Sequence, residues 1–170
     1  MSTAVHVPLA EYMDTAYEPD CEYVDGVLEE RHVGKNKHSR TQTLLIAWLA
    51  AREKLHGRKA MTEQRVQLAA SRVRIPDVCL IDPDDDDEVT QKPPDLWIEI
   101  LSPEDRWSRL QSRLDEVLRF GAPTVWIIDP YAREAWTATP SAGVRPVEDG
   151  ILRCALLNLQ LRLHEILPGP

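Results

Sequence analysis

Arg74-Ile75-Pro76-Asp77-Val78, read together with Leu96-Trp97-Ile98-Glu99-Ile100-Leu101, decides the fold of this chain. Each stretch sets one carboxylate inside a run of apolar, strand-forming residues. A lone acid in such a run is costly unless it is paired, hydrogen-bonded or bound to a cation. Asp77 and Glu99 on successive strands therefore leave two readings open. They face the same side of adjacent strands and hold Mg²⁺ or Mn²⁺ with water and phosphate oxygens. Alternatively, Asp77 merely begins a strand after Pro76 and Glu99 pairs with an arginine.

Working outward, Ser102-Pro103-Glu104-Asp105 predicts the start of a helix, with Ser102 as N-cap and Pro103 in its first position. Trp107, Leu110, Leu114, Val117 and Leu118 form its apolar stripe, Gly121 ends it, and Arg106, Arg109 and Arg113 share one flank. Val125-Trp126-Ile127-Ile128, apolar on both faces, predicts a central strand. Short strands follow over 131–139, 144–147 and 151–163. Towards the N-terminus, 59–68 predicts two short strands or one bent strand, with Glu63 near the break. Before it lies a helix from about His38 to Leu55, ended by Gly57, with Leu45, Trp48, Leu49 and Leu55 inward. His38 enters that helix on the apolar side, either as a satisfied terminal histidine or as a residue facing the sheet's site. Asp25-Gly26 between apolar arms predicts a β-hairpin over 22–29, and residues 1–16 predict a short helix around Pro8–Met13. Asp82-Pro83-Asp84-Asp85-Asp86-Asp87-Glu88 lacks the spaced ligands and glycine of a calcium loop and reads as a solvated, flexible acidic loop. The order gives an α/β fold, a mixed central sheet flanked by helices.

A length of 170 residues predicts one domain over 1–170, large enough for a core. No apolar run suffices to span a membrane, and the N-terminal residues predict no signal peptide. Cys21, Cys79 and Cys154 are widely spaced and odd in number, which points to buried thiols in a reducing, cytoplasmic setting rather than a disulfide or zinc framework. The net charge of −8 argues against a protein that coats nucleic acid nonspecifically. The charge is uneven: between Arg31 and Lys59 eight Lys/Arg face only Glu53, giving +7 and leaving −15 for the remainder. That stretch, with Lys35, Lys37 and Arg40 at its start, reads as a phosphate-contacting edge or as a solvated helix face.

Tyr23-Val24-Asp25-Gly26-Val27-Leu28, His38, Arg74-Ile75-Pro76-Asp77-Val78, Trp97-Ile98-Glu99-Ile100-Leu101-Ser102-Pro103 and Val125-Trp126-Ile127-Ile128-Asp129-Pro130 occur together in order. In this the chain resembles the Uma family of restriction endonucleases, within the PD-(D/E)XK nuclease superfamily, over about residues 8–166. The resemblance implies a restriction-endonuclease-like fold, a homodimer, a DNA substrate and Mg²⁺ or Mn²⁺ as cofactor. It implies that Asp77 and Glu99 are catalytic metal ligands. Where the superfamily has lysine, two residues after Glu99, this chain has Leu101, and the family's displaced lysine position corresponds to Arg113. Glu63 and Glu22 sit where the family commonly has acids. Arg106, Arg109, Lys35, Lys37 and Arg40 are the candidate nucleic-acid contacts. Arginine cannot release a proton as lysine can, so a catalytically degenerate, dimeric binding or scaffold module is the alternative.

Overall fold

The computed structural model of the chain describes residues 6–31 and 34–167. A short helix α1 (Leu9–Met13) follows Pro8, which caps it in an extended conformation. Strands β1 (Cys21–Val24) and β2 (Val27–Glu30) form the expected hairpin. Its Asp25-Gly26 corner has positive φ at both residues (51° and 86°), the geometry that Asp-Gly adopts most readily. Helix α2 (Asn36–Ala50) and a one-turn helix α3 (Glu53–His56) come next, ended by left-handed Gly57. Four strands follow: β3 (Lys59–Thr62), β4 (Val66–Ala69), β5 (Arg72–Arg74) and β6 (Val78–Ile81). Strand β7 (Leu96–Ile100), helix α4 (Trp107–Phe120) and strand β8 (Val125–Asp129) form the central crossover. The chain closes with β9 (Glu134–Thr139), β10 (Gly143–Pro146), β11 (Ile151–Cys154) and β12 (Leu159–Arg162).

The strands form a six-stranded sheet, β10-β9-β8-β7-β6-β3, a four-stranded sheet, β2-β1-β5-β4, and the hairpin β11-β12. Only β7 and β8 run parallel in the larger sheet, because α4 connects them, so the sheet is mixed. Alternation along each strand divides the core. Val78, Leu80, Leu96, Ile98, Trp126 and Ile128 pack towards Leu45 and Leu49 of α2 and the β11-β12 hairpin. Trp97, Val125 and Ile127 pack against Leu110, Leu114 and Val117 of α4. The apolar residues of β8 are fully buried from both sides, as their unbroken run implies. The second, four-stranded sheet is not part of the sequence expectation, because the three-residue β5 carries too little pattern to read.

Arg74 of β5 fastens that sheet to α4. It donates to Glu22 of β1 (2.8 Å), to Glu29 of β2 (2.9 Å) and through Nε to Glu116 of α4 (3.0 Å). Glu22 is fully buried and takes the Ile75 N–H as well (3.0 Å). Three acids around one guanidinium satisfy a charge that the interior could not otherwise hold.

Several sequence expectations change. Helix α4 begins at Trp107, not at Ser102. The Asp105 carboxylate accepts the Ser102 N–H (2.6 Å) and the Asp105 N–H returns to the Ser102 carbonyl (3.0 Å), as at a helix start. Arg106, however, is extended (φ −100°, ψ 127°) and interrupts the turn. Trp107 is 44% exposed and lies tilted on Trp136, with ring centroids 5.5 Å apart, so the buried stripe begins at Leu110. The helix expected to reach Leu55 breaks after Ala50. Leu55 is therefore 83% exposed on the separate turn α3. Asp77 precedes its strand rather than lying within it, since Pro76 has no N–H to give to a ladder. The acidic run is folded, not simply solvated: Asp85 is buried, and Lys59 Nζ donates to its carbonyl (2.7 Å) and to Asp86 (2.6 Å). All three cysteines are free and buried, and burial pushes the Cys79 thiol up to about 12. Among the described residues no helix is long and apolar enough to cross a membrane.

Two predictions follow the packing. Leu114→Ala removes a buried side chain and is expected to cost about 2–5 kcal/mol in urea unfolding, whereas Leu55→Ala should stay within about 0.5 kcal/mol. Arg74→Ala takes one guanidinium from three acids that each keep a second arginine: Arg113 on Glu22, Arg109 on Glu29 and Arg72 on Glu116. It should cost about 1–3 kcal/mol, a loss visible as an earlier urea midpoint.

Candidate active site

The antiparallel register Val78↔Ile98 carries one step further to set Asp77 beside Glu99 at the edge of β6 and β7. Alternation places Glu99 on the same face as Trp97, towards α4. Asp77 is held there by its own side chain: Oδ2 accepts the Ile100 N–H at 2.7 Å. Both carboxylates are only 5% exposed, yet both line a cleft of about 80 Å³ walled by Arg31, His38, Arg109 and Arg113.

Each buried acid has a cation against it. Arg113, one turn past Arg109 on α4, reaches Glu99 Oε2 (3.2 Å) and Glu22 Oε2 (2.8 Å). Glu99 Oε1 accepts the Trp97 indole N–H at 2.7 Å. Asp77 Oδ1 accepts from Arg31 Nη2 at 2.9 Å, and Oδ2 lies 3.4 Å from His38 Nε2. Burial is the main force raising the Glu99 carboxyl; with Arg113 opposing it and Asp77 adding to it, the carboxyl is pushed up to about 7. Burial alone would lower His38, but Asp77 outweighs it and the net shift is upward. Burial likewise opposes the charge on Arg113, which Glu99 and Glu22 restore and reinforce.

The remaining candidate residues divide by position. His38 is buried and faces Asp77 rather than resting as a helix-end residue. Its Nδ1 has no hydrogen-bond partner, and a Cβ at Gly34 would meet it at 2.6 Å, so only glycine lets the loop close over the ring. Glu22 stands behind the cleft as the second anchor of Arg113. Glu63 is exposed and touches Asp77 only through the main chain, its N–H reaching the Asp77 carbonyl at 3.3 Å. Arg106 and Arg109 line the cleft wall, Arg109 pairing with Glu29 at 3.2 Å. Lys35, Lys37 and Arg40 are exposed on the entry to α2 and do not line the cleft. Lys35 pairs with Glu104, and Lys37 lies 5.7 Å from the Tyr131 ring. Arg31 is the cleft residue that the sequence reading did not single out. Its only sequence signal is the demand of a buried Asp77 for a cation.

The donor set limits what the cleft could hold. Among the described residues no group of three His, Cys, Asp or Glu could hold a metal ion. That is too few protein ligands for a zinc site. It is compatible with Mg²⁺, which binds through one or two carboxylates and keeps water or phosphate oxygens in its other positions. Asp77 and Glu99 retain unused lone pairs for such an ion.

Comparison with known proteins adds family and fold. Residues 9–164 match the Uma2 family, described as "Putative restriction endonuclease". A structure described as that of "a putative nuclease belonging to DUF820 from Anabaena variabilis ATCC 29413" superposes with a TM-score of 0.81 at 21% identity. The match covers 94% of this chain and 97% of that one, and at this identity it speaks for the fold. No curated protein matches the chain. With nearly its whole length matched by the family model, the chain belongs to the Uma2 family.

Proposed function

We propose that the chain is a Mg²⁺- or Mn²⁺-dependent endodeoxyribonuclease that hydrolyses phosphodiester bonds through a PD-(D/E)XK-type site. One observation carries the reading: Asp77 and Glu99 lie side by side, nearly buried, in a cleft whose wall carries Arg113. Asp77 and Glu99 are the residues that would hold the ion. A divalent ion bound there supplies Lewis-acid polarisation of the phosphate and a more acidic water. Arg113 stays protonated and, anchored on Glu22, presents its guanidinium to the same cleft. It is suited to stabilise negative charge on the phosphoryl oxygens as a P–O bond forms to water and the ester P–O bond breaks. It cannot accept the water's proton. Arg106 and Arg109 extend this cationic wall along α4 towards a nucleic-acid backbone. A DNA substrate, a homodimeric assembly and a cytoplasmic setting belong to the same proposal.

A second reading has its own observation. Arginine stands at the position matched to the family's displaced lysine, and guanidinium groups already engage both cleft carboxylates. A fold kept as a dimeric binding or scaffold module accounts for that arrangement. Supercoiled plasmid incubated with Mg²⁺ or Mn²⁺ separates the two. The nuclease reading expects nicking or linearisation that falls by about 10²-fold or more in Asp77→Ala and Glu99→Ala. Cleavage that persists unchanged in both variants refutes it. No cleavage by the native protein, but cleavage by Arg113→Lys, identifies a degenerate site otherwise intact.

The raised Glu99 carboxyl also gives a pH dependence in the absence of metal. Its unfolded value is about 4.3, so the folded state binds the proton more tightly. The resulting stability is fully present below the unfolded value and is lost as pH rises through about 7. Urea unfolding at pH 5 and pH 8.5 should show the native protein losing stability relative to Glu99→Gln as pH rises. Parallel behaviour of the two proteins contradicts the assignment.

A further inference from the structure

Two arginines touch the cleft carboxylates, and they are held differently. Arg113 donates to Glu99 at 3.2 Å but is tied more closely, at 2.8 Å, to the fully buried Glu22. Removing its Glu99 contact would leave it anchored. Arg31 has one close acid, Asp77 at 2.9 Å. Its other neighbour is Asp20, 4.0 Å from Nη1 and more exposed. The main chain of Arg31 is fixed, its N–H donating to the Asp20 carbonyl at 2.9 Å. The side chain therefore has an immobile root and two acids within reach.

Asp77 offers its oxygens unequally. Oδ2 is committed to the Ile100 N–H at 2.7 Å and faces His38. Oδ1 is the oxygen left for a cation in the cleft, and Arg31 occupies it. With Asp77 only 5% exposed, leaving that oxygen without a counter-charge would be costly.

We propose that Arg31 is an exchangeable counter-ion of the metal site: it neutralises Asp77 Oδ1 in the metal-free protein and is displaced from it when the site binds a divalent cation. The inference rests on the metal-site reading above and adds a residue which that reading does not include. Arg31 lines the cleft, so the displaced guanidinium stays in it or turns towards Asp20. The exchange spares the protein an unpaired buried carboxylate when no metal is present. It also raises the metal concentration at which the site fills.

Calorimetric titration of Mn²⁺ into the protein without nucleic acid tests the exchange. Arg31→Gln should bind Mn²⁺ about tenfold more tightly than the native chain, the order expected when a partly buried ion-pair competitor is removed. Arg31→Lys, which keeps the charge, should stay close to native. Arg109→Gln removes a cation from the same cleft that touches Glu29 instead of Asp77, and it should change the Mn²⁺ affinity by less than about twofold. Unchanged or weaker Mn²⁺ binding in Arg31→Gln, or equal tightening in Arg109→Gln, overturns the exchange and leaves the metal site standing. No Mn²⁺ binding in any of the four proteins overturns both. The native protein gives a second readout that needs no substitution to fold. The Arg31 guanidinium N–H resonance should move on Mg²⁺ addition, and a resonance that stays fixed while Mg²⁺ binds overturns the proposal.

Discussion

The rest of the structure depends on the pairing of buried carboxylates with arginines brought from other elements. Glu22, Asp77 and Glu99 are each 5% exposed or less, a position that an unpaired carboxylate could not keep without taking up a proton. Arg74 and Arg113 hold Glu22, Arg113 also holds Glu99, and Arg31 holds Asp77. These pairs join β1, the end of β2, β5, β7 and α4. The charged cluster and the tertiary arrangement are thus one feature, since Glu99 of β7 and Asp77 before β6 meet their arginines only from α4 and from the chain after β2.

The central crossover supplies the rigidity behind that cluster. Strand β8 is buried on both faces and pairs in parallel with β7, and α4 packs Leu110, Leu114 and Val117 onto them. The helix phase that buries this stripe also turns Arg109 and Arg113 towards the cleft, because residues three and four apart share a helix face. The apolar packing therefore aims the guanidinium of Arg113 at Glu99. Trp97 reinforces the aim by fixing the other Glu99 oxygen.

An arginine rather than a lysine beside Glu99 limits what the cleft can do. A lysine near Glu99 could lose its proton in a desolvated site, whereas Arg113 carries its charge throughout and is strengthened in it by two acids. The group best placed to stabilise an anion is therefore unable to act as a base. His38, buried beside Asp77 with Nδ1 unpartnered, is the imidazole of the cleft wall, and Asp77 favours its protonated form.

The sequence by itself determined the layered α/β character, the central strands and the presence of two carboxylates, Asp77 and Glu99, in apolar surroundings. Each rests on local chemistry: unbroken apolar runs, Asp-Gly at a hairpin corner, and a carboxylate misplaced in an apolar segment. It failed where two local signals competed. Ser102-Pro103 has the composition of a helix start, and Asp105 takes the Ser102 N–H as at one, but extended Arg106 breaks the turn and the helix begins only at Trp107. Leu55 continues the helical spacing of α2, but the helix ends before reaching it. Only the tertiary structure decided which cations meet the acids. Arg31 is 46 residues from Asp77, and Arg113 is 91 from Glu22. Partnerships across such separations are set by strand register and helix phase together, and no local pattern in the chain encodes them.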